Sequence, residues 1–384
     1  GRGIMKRSRI LLSLTFLALL VSCNPNISSE KMVSERTTTS EEVSEISGDS
    51  LSESITSSEK GKELTTVFFQ NPVYNVDFPD PSIIRHSDGF FYCYATGARV
   101  IKSPNLVDWE PLENAIPRPT WGTQGAAIWA PDVQYINGQY VMYYSLSKWD
   151  DPNPGIGIAT ASHPAGPWTD HGKFFRSLEI GVNNSIDPMV FVDDDNRIYM
   201  FWGSFRGIYA IELTADGLDF KDGSVEEAAI NKVHVAGFET DRNLDISTFE
   251  GVYIVKKDNY YYMFLSTGTC CSGDYTYNVV VGRSESILGE YVDSIGRSMK
   301  NANVGHAVVH QNDFFIGVGH NSIIKDDAGT YWIVYHGFDA KIQARNARRL
   351  LIDKLIWNAE NWPSTLGNVP SNNYRPGPEL YLPD

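Results

Sequence analysis

Apolar residues in this chain run in short, almost unbroken blocks, and no long stretch repeats at helical spacing. Ser185-Ile186-Asp187-Pro188-Met189-Val190-Phe191-Val192 is followed by the polar cluster Asp193-Asp194-Asp195-Asn196 and then by Arg197-Ile198-Tyr199-Met200-Phe201-Trp202. That pattern predicts a buried strand, an acidic turn and a second strand. The unit recurs. Asp80-Pro81 opens a copy that turns at Gly89 and continues through Phe90-Phe91-Tyr92-Cys93-Tyr94. Ala130-Pro131-Asp132 opens another, with its turn at Asn137-Gly138, Glu250-Gly251 a fourth, with Asp258-Asn259, and His320-Asn321 a fifth, with Asp327-Ala328-Gly329.

In four copies the turn residue lies nine positions after the opening residue (80→89, 187→196, 250→259, 320→329), and in the remaining one eight (130→138). Successive copies start 50, 57, 63 and 70 residues apart. Five β-rich units at such spacings predict an all-β, five-bladed β-propeller, one unit to each blade. The innermost strand of each blade lines the axis, so the opening residues Asp80, Ala130, Asp187, Glu250 and His320 should converge. Three carboxylates and a histidine would then face one cavity.

The chain has 384 residues, 42% of them hydrophobic, enough to bury a large core. Its formal net charge of −15 argues against nucleic acid and other polyanions and suits a neutral ligand. No glycine-rich phosphate loop or paired-cysteine metal motif is present.

The first residues read as a leader. Lys6, Arg7 and Arg9 precede the 12-residue apolar run Ile10 to Val21, the size of a signal-peptide core and too short to span a bilayer. Leu20-Val21-Ser22-Cys23 resembles a bacterial lipobox, which predicts a signal peptide over 1–23 with Cys23 as the lipidated mature N-terminus. Residues 24–64, rich in Ser, Thr and Glu, predict a disordered tether, leaving 65–384 for the propeller. The expected location is the bacterial cell envelope, facing the periplasm or the exterior, with the membrane contacted through lipid alone. Cys93 sits in a strand-like run and is expected to be buried and inert; Cys270 and Cys271 are adjacent, and form either a vicinal disulfide or two thiols in a tight turn.

Glycoside hydrolysis needs two carboxyl groups across a cleft, one protonated and one ionised, and a third nearby tunes the pair. Asp80, Asp187 and Glu250 meet that count. Pro79-Asp80-Pro81-Ser82, Trp129-Ala130-Pro131-Asp132, Ser185-Ile186-Asp187-Pro188 and Phe249-Glu250-Gly251 resemble, in this order, the signature blocks of the family-43 glycoside hydrolases. These are five-bladed propeller enzymes acting on arabinose- and xylose-containing polysaccharides. Thr269-Cys270-Cys271, Tyr277 to Ser284, Gly319-His320-Asn321-Ser322 and Trp362-Pro363 are similar to the arabinan-degrading branch. The resemblance implies Asp80 as general base, Glu250 as general acid, and Asp187 as the carboxylate that tunes and orients it. It implies inversion at the anomeric carbon of α-1,5-linked L-arabinan or arabino-oligosaccharides. His320 matches a histidine that in related arabinanases faces a largely water-held Ca2+ near the axis; the other reading is a histidine hydrogen-bonded there without metal. Many endo-arabinanases have His-Asp-Pro at the base motif, whereas Pro79 here resembles exo-acting α-L-arabinofuranosidases and β-xylosidases. The alternative of another class is a non-catalytic glycan-binding lipoprotein.

Sugar binding calls for flat apolar faces and a few fixed polar groups. Trp129 is expected either to stack on sugar or to sit in the core. Phe78, Asn184, Ser204 and Thr267 are expected at the cavity. Arg345 and Arg348 either bring a guanidinium to Glu250 or the sugar, or are surface charges.

Overall fold

A computed structural model describes residues 63–238 and 249–383. The leader and tether expectations for residues 1–62, with Cys23, lie outside the described residues.

The first strand, β1 (Thr65–Phe69), precedes the blades. Blade 1 is β2 (Ser82–Arg85), β3 (Phe91–Ala95), β4 (Arg99–Ser103) and β5 (Glu110–Pro111); blade 2 is β6 (Ala127–Ile136), β7 (Gln139–Ser147), β8 (Gly155–Ala161) and β9 (Thr169–Arg176). After a short helix, α1 (Ser177–Ile180), blade 3 contains β10 (Met189–Val192), β11 (Ile198–Trp202), β12 (Ile208–Leu213) and, beyond α2 (Val225–Asn231), β13 (Val233–Ala236). Blade 4 is β14 (Phe249–Lys257), β15 (Tyr260–Thr267), β16 (Asn278–Ser284) and β17 (His306–Val309). Blade 5 has only β18 (Phe315–Lys325), β19 (Tyr331–Asp339) and β20 (Arg349–Lys354). Every blade is an antiparallel meander in chain order. The innermost strands form a closed ring in which β18 returns to β2.

The fivefold arrangement explains why the apolar blocks do not alternate. A blade's middle strands are covered on both faces by neighbouring blades, so both sets of side chains are buried. In β3, Tyr92 and Tyr94 point toward blade 2, in a cluster with Met142 and Tyr144, while Phe91 and Cys93 point toward blade 5, in a cluster with Val334 and Ile352. Cys93 is fully buried and free, and burial pushes its thiol pKa far up. Equivalent clusters fill the other three wedges, between blades 2 and 3, 3 and 4, and 4 and 5.

The segment before Asp80 closes the ring. Tyr74 bridges Leu350 of β20, with Val73 N–H donating to the Leu350 carbonyl (3.0 Å) and Phe78 N–H to that of Arg348 (2.8 Å). It therefore serves as a ragged fourth strand of blade 5. Beside it β1 pairs with the last strand, β23 (Arg375–Leu380), beyond the short pair β21 (Ile356–Trp357) and β22 (Pro363–Ser364).

Candidate active site

Each blade contributes one left-handed residue where its inner strand begins: Asp80 (φ 60°), Ala130 (37°), Asp187 (56°), Gly251 (59°) and His320 (50°). This conformation disfavours L-residues by about 1–2 kcal/mol, so four non-glycine cases require support from their surroundings. The support is shared. The backbone N–H of Ala130 donates to Thr96 Oγ1 (2.9 Å), that of Asp187 to Ser145 Oγ (2.9 Å), that of His320 to Ser266 Oγ (2.8 Å) and that of Asp80 to His336 Nδ1 (3.0 Å). In every case the acceptor comes from the preceding blade. The Gly251 N–H faces Asp187 Oδ2 instead, at 3.3 Å.

One expected equivalence is corrected here. The blade-4 residue that matches the other four is Gly251, and Glu250 stands one position earlier. Glu250 pairs with Ser266 as Trp129 pairs with Ser145. In blades 1, 3 and 5 the left-handed turn residue follows by nine (80→89, 187→196, 320→329), but in blades 2 and 4 by seven (130→137, 251→258). Blades 2 and 4 turn on two residues, Asn137-Gly138 and Asp258-Asn259. Counting nine from Glu250 to Asn259 thus started one residue early and ended one late.

The three carboxylates nevertheless reach one cavity of about 580 Å³, together with His320 and Arg348. Asp80 is 9% exposed. Its Oδ1 lies 3.2 Å from Arg348 Nη1 and 3.3 Å from His320 Nδ1, and its Oδ2 accepts the Thr96 hydroxyl at 2.5 Å. Burial acts to raise its pKa; Arg348, then the imidazoles and the Thr96 hydroxyl, outweigh burial and hold the carboxyl well below the usual range. His336 Nδ1 also approaches Asp80 Oδ1, at 3.4 Å. That contact is no ion pair. The same nitrogen accepts the Asp80 N–H, and burial keeps the ring's pKa well below its ordinary value, so the imidazole is neutral.

Glu250 accepts the Ser204 hydroxyl on Oε2 (2.6 Å) and the Tyr277 hydroxyl on Oε1 (2.8 Å), which fixes both oxygens. Burial, then the charges of Glu250 and Asp80, raises the Asp187 pKa well above the usual range. The environment thus pushes two carboxyl groups of the trio in opposite directions, Asp80 toward the ionised form and Asp187 toward the protonated one.

Trp129 and Asn184 line the cavity, as does Ser204. Trp129 packs at 5.7 Å on Trp149, a 72% exposed neighbour at the same cavity. Asn184 Nδ2 donates to the Ser204 carbonyl. Phe78 does not reach the cavity: it packs edge-on against Tyr74 in the wedge between blades 5 and 1. Thr267 is buried at the end of β15, between Phe249 and Asn278, and is not among the lining residues. Arg348 pairs with Asp80 and not Glu250, whereas Arg345 is held on the carbonyls of Asp339 and Ile342. Thr96, Tyr277, His336 and Trp149 were not expected at the site; they come from second strands and loops outside the repeated opening motif.

A hard cation such as Ca2+ prefers oxygen ligands. His320 Nδ1 already faces Asp80, but next to His320 on β18 the buried Asn321 amide and Ser322 hydroxyl have no hydrogen-bond partner among the described residues, and neither has His336 Nε2 across the ladder. These donors and acceptors suit water, and through water a cation.

The fold and the paired carboxyl groups define a glycosidase, and the profile of Glycosyl hydrolases family 43 matches residues 69–363, so the chain belongs to that family. It is 33% identical over 304 residues to the extracellular exo-α-(1→5)-L-arabinofuranosidase of Cellvibrio japonicus, covering 75% of this chain and 86% of that one. It is 31% identical over 300 residues to the extracellular endo-α-(1→5)-L-arabinanase 1 of Bacillus subtilis, with 74% and 86% covered. Among solved structures it resembles the Cellvibrio cellulosa α-L-arabinanase complexed with arabinohexaose: TM-score 0.66, 30% identity, 76% of this chain and 96% of that one.

Proposed function

We propose that this enzyme hydrolyses α-1,5-linked L-arabinan or its oligosaccharides with inversion of configuration. The observation that carries the reading is the convergence of Asp80, Asp187 and Glu250 on one cavity, with the pKa of Asp80 lowered and that of Asp187 raised. The arabinan-cleaving relatives supply the substrate class. A silent glycan binder has no need of three buried carboxyl groups, and the similar proteins named above are hydrolases.

Asp80 orients the attacking water and accepts its proton as the bond to the anomeric carbon forms. Arg348 and Thr96 keep it ionised, so its loss of charge does not limit activity in mildly acid solution. Glu250, aimed by Ser204 and Tyr277, delivers a proton to the departing oxygen, and Asp187, whose charge interacts with that of Glu250, tunes it. Trp129 and Trp149 offer aromatic faces to the sugar, and Asn184 a fixed amide. If Ca2+ binds, His320 with Asn321 and Ser322 would hold it through water, and the ion would supply positive charge near Asp80. Cys23 would carry the lipid that keeps the enzyme at the cell envelope.

Proton NMR of the first sugar released from linear arabinan tests the mechanism: the inverted anomer is expected, and a retained one removes Asp80 from the role of base. Asp80→Ala and Glu250→Ala should each lower kcat by at least about 10³-fold on arabinan. Wild-type activity in both variants would move the catalytic centre elsewhere. The lengths of the products distinguish chain-end from internal cleavage.

A further inference from the structure

Hydrolysis as described leaves Cys270 and Cys271 without a role. They are bonded to each other, and both line the cavity that contains the carboxylates. Their loop is tied at its base, where Thr269 N–H donates to Thr276 Oγ1 (3.1 Å) and Tyr277 N–H to the Thr269 carbonyl (3.2 Å). Tyr277 is the residue whose hydroxyl reaches Glu250. On the other flank the loop rests on β18: Gly317 N–H donates to the Tyr275 carbonyl (3.0 Å), and a methyl group on Gly317 would stand 3.2 Å from the Cys270 carbonyl oxygen. The disulfide is therefore fixed between two strands that carry groups of the site.

Two adjacent thiols would be separate rotors, each a weak hydrogen-bond donor. Joined, they make one rigid, apolar, polarisable surface of the kind that packs on the C–H face of a sugar. Blade 2 provides such surfaces with Trp129 and Trp149. The disulfide belongs to blade 4, the blade of Glu250. A general acid stands beside the oxygen it protonates, so the sugar attached to that oxygen leaves on the Glu250 side.

We propose that the Cys270–Cys271 disulfide is a binding platform for the arabinosyl residue that departs. This rests on the hydrolytic reading above, and the test separates the two. Full-length wild type, the same protein treated with a mild phosphine reductant, and the double variant Cys270→Ala/Cys271→Ala are compared on two substrates. Arabinotriose leaves a sugar on that side, and α-L-arabinofuranosyl fluoride leaves only fluoride. Among the described residues this is the only disulfide, so reduction addresses it alone. The expected result is a fall of about tenfold in kcat/KM for arabinotriose, in the variant and in the reduced wild type alike, with the fluoride changed less than twofold. The reductant should do nothing further to the variant. Should the variant fail to fold, the reduced wild type still reads the effect. An unchanged value for arabinotriose overturns the platform. An equal fall on both substrates also overturns it, because the loop would then be disturbing the site as a whole. So does a fall on arabinotriose alone that comes with a shifted pH–rate profile, because the loop would then be acting on Glu250 through Tyr277. A wild type that cleaves neither substrate removes the hydrolytic reading itself.

Discussion

Asp132 shows that a carboxylate near the propeller axis need not do chemistry. It belongs to the same motif as Trp129, but it joins three blades: Oδ1 accepts the Ser82 hydroxyl of blade 1 (3.1 Å) and Oδ2 the Val190 N–H of blade 3 (2.8 Å). Burial is the largest influence on it and, despite these hydrogen bonds, its pKa is pushed up to about 6 from 3.8. A folded-state pKa above the unfolded one means that the native state binds the proton more tightly. The corresponding stability is complete below about pH 4 and is lost as pH rises through 6, by up to about 3 kcal/mol. Asp132→Asn cannot titrate, so its stability relative to wild type should rise by that order between pH 4 and pH 7. Urea unfolding at both pH values checks it; a pH-independent difference would mean that Asp132 does not titrate there. At this scale sequence reached the residues that sit in the repeated motif, namely Asp80, Asp187 and Glu250. It named Arg348 without its partner Asp80 and did not reach His336; both are more than 250 residues from Asp80 along the chain and meet it only when the ring closes. Nor did it tell Phe78 and Thr267 from true lining residues, because what removes them from the cavity is tertiary: Phe78 packs in the wedge beside Tyr74, and Thr267 is covered between Phe249 and Asn278.

The strands were legible because burial on both faces leaves an uninterrupted apolar block bounded by turn residues. Their register was less so. A two-residue turn and a longer one give nearly the same count, and the blade-4 acid was placed one residue out for that reason alone. Blade 5 was legible only in part. Its fourth strand is not in the fifth repeat but comes from the far end of the chain, where Tyr74 bridges Leu350. Asn71 fastens that segment. Its Nδ2 donates to the carbonyl of Ile352 (2.8 Å) and to Ser371, and its Oδ1 accepts the Ile352 N–H (2.9 Å). Asn71→Ala would leave both backbone groups of Ile352 buried without a partner, at about 1–3 kcal/mol each. We expect a stability loss of about 2–4 kcal/mol in urea, with kcat unchanged where the variant is still folded. A neutral result would show that water replaces the amide, and that closure depends on the apolar wedge instead.

For the molecule as a whole, the first described strand, Thr65–Phe69, already pairs with the last, Arg375–Leu380, and every residue named at the site lies between Asp80 and Arg348. The ring is thus closed by pieces that all follow residue 62. Charge points the same way, since a chain of net charge −15 gains nothing from an anionic membrane surface and needs a covalent anchor to stay at one. We propose that residues 1–62 serve delivery and attachment. Two measurements check the division. Removing residues 1–62 should leave kcat within twofold of the full-length enzyme and the unfolding midpoint unchanged, because β1 and every residue named at the site are retained. A large fall in either would mean that the preceding residues complete the fold. In a bacterial host, the full-length protein should partition into detergent and show a lipid-modified Cys23 by mass spectrometry. Cys23→Ser should move it to the aqueous phase with its activity intact, since a net charge of −15 disfavours an anionic bilayer. Detergent partition that survives Cys23→Ser would contradict attachment through lipid and assign the membrane contact to another part of the chain.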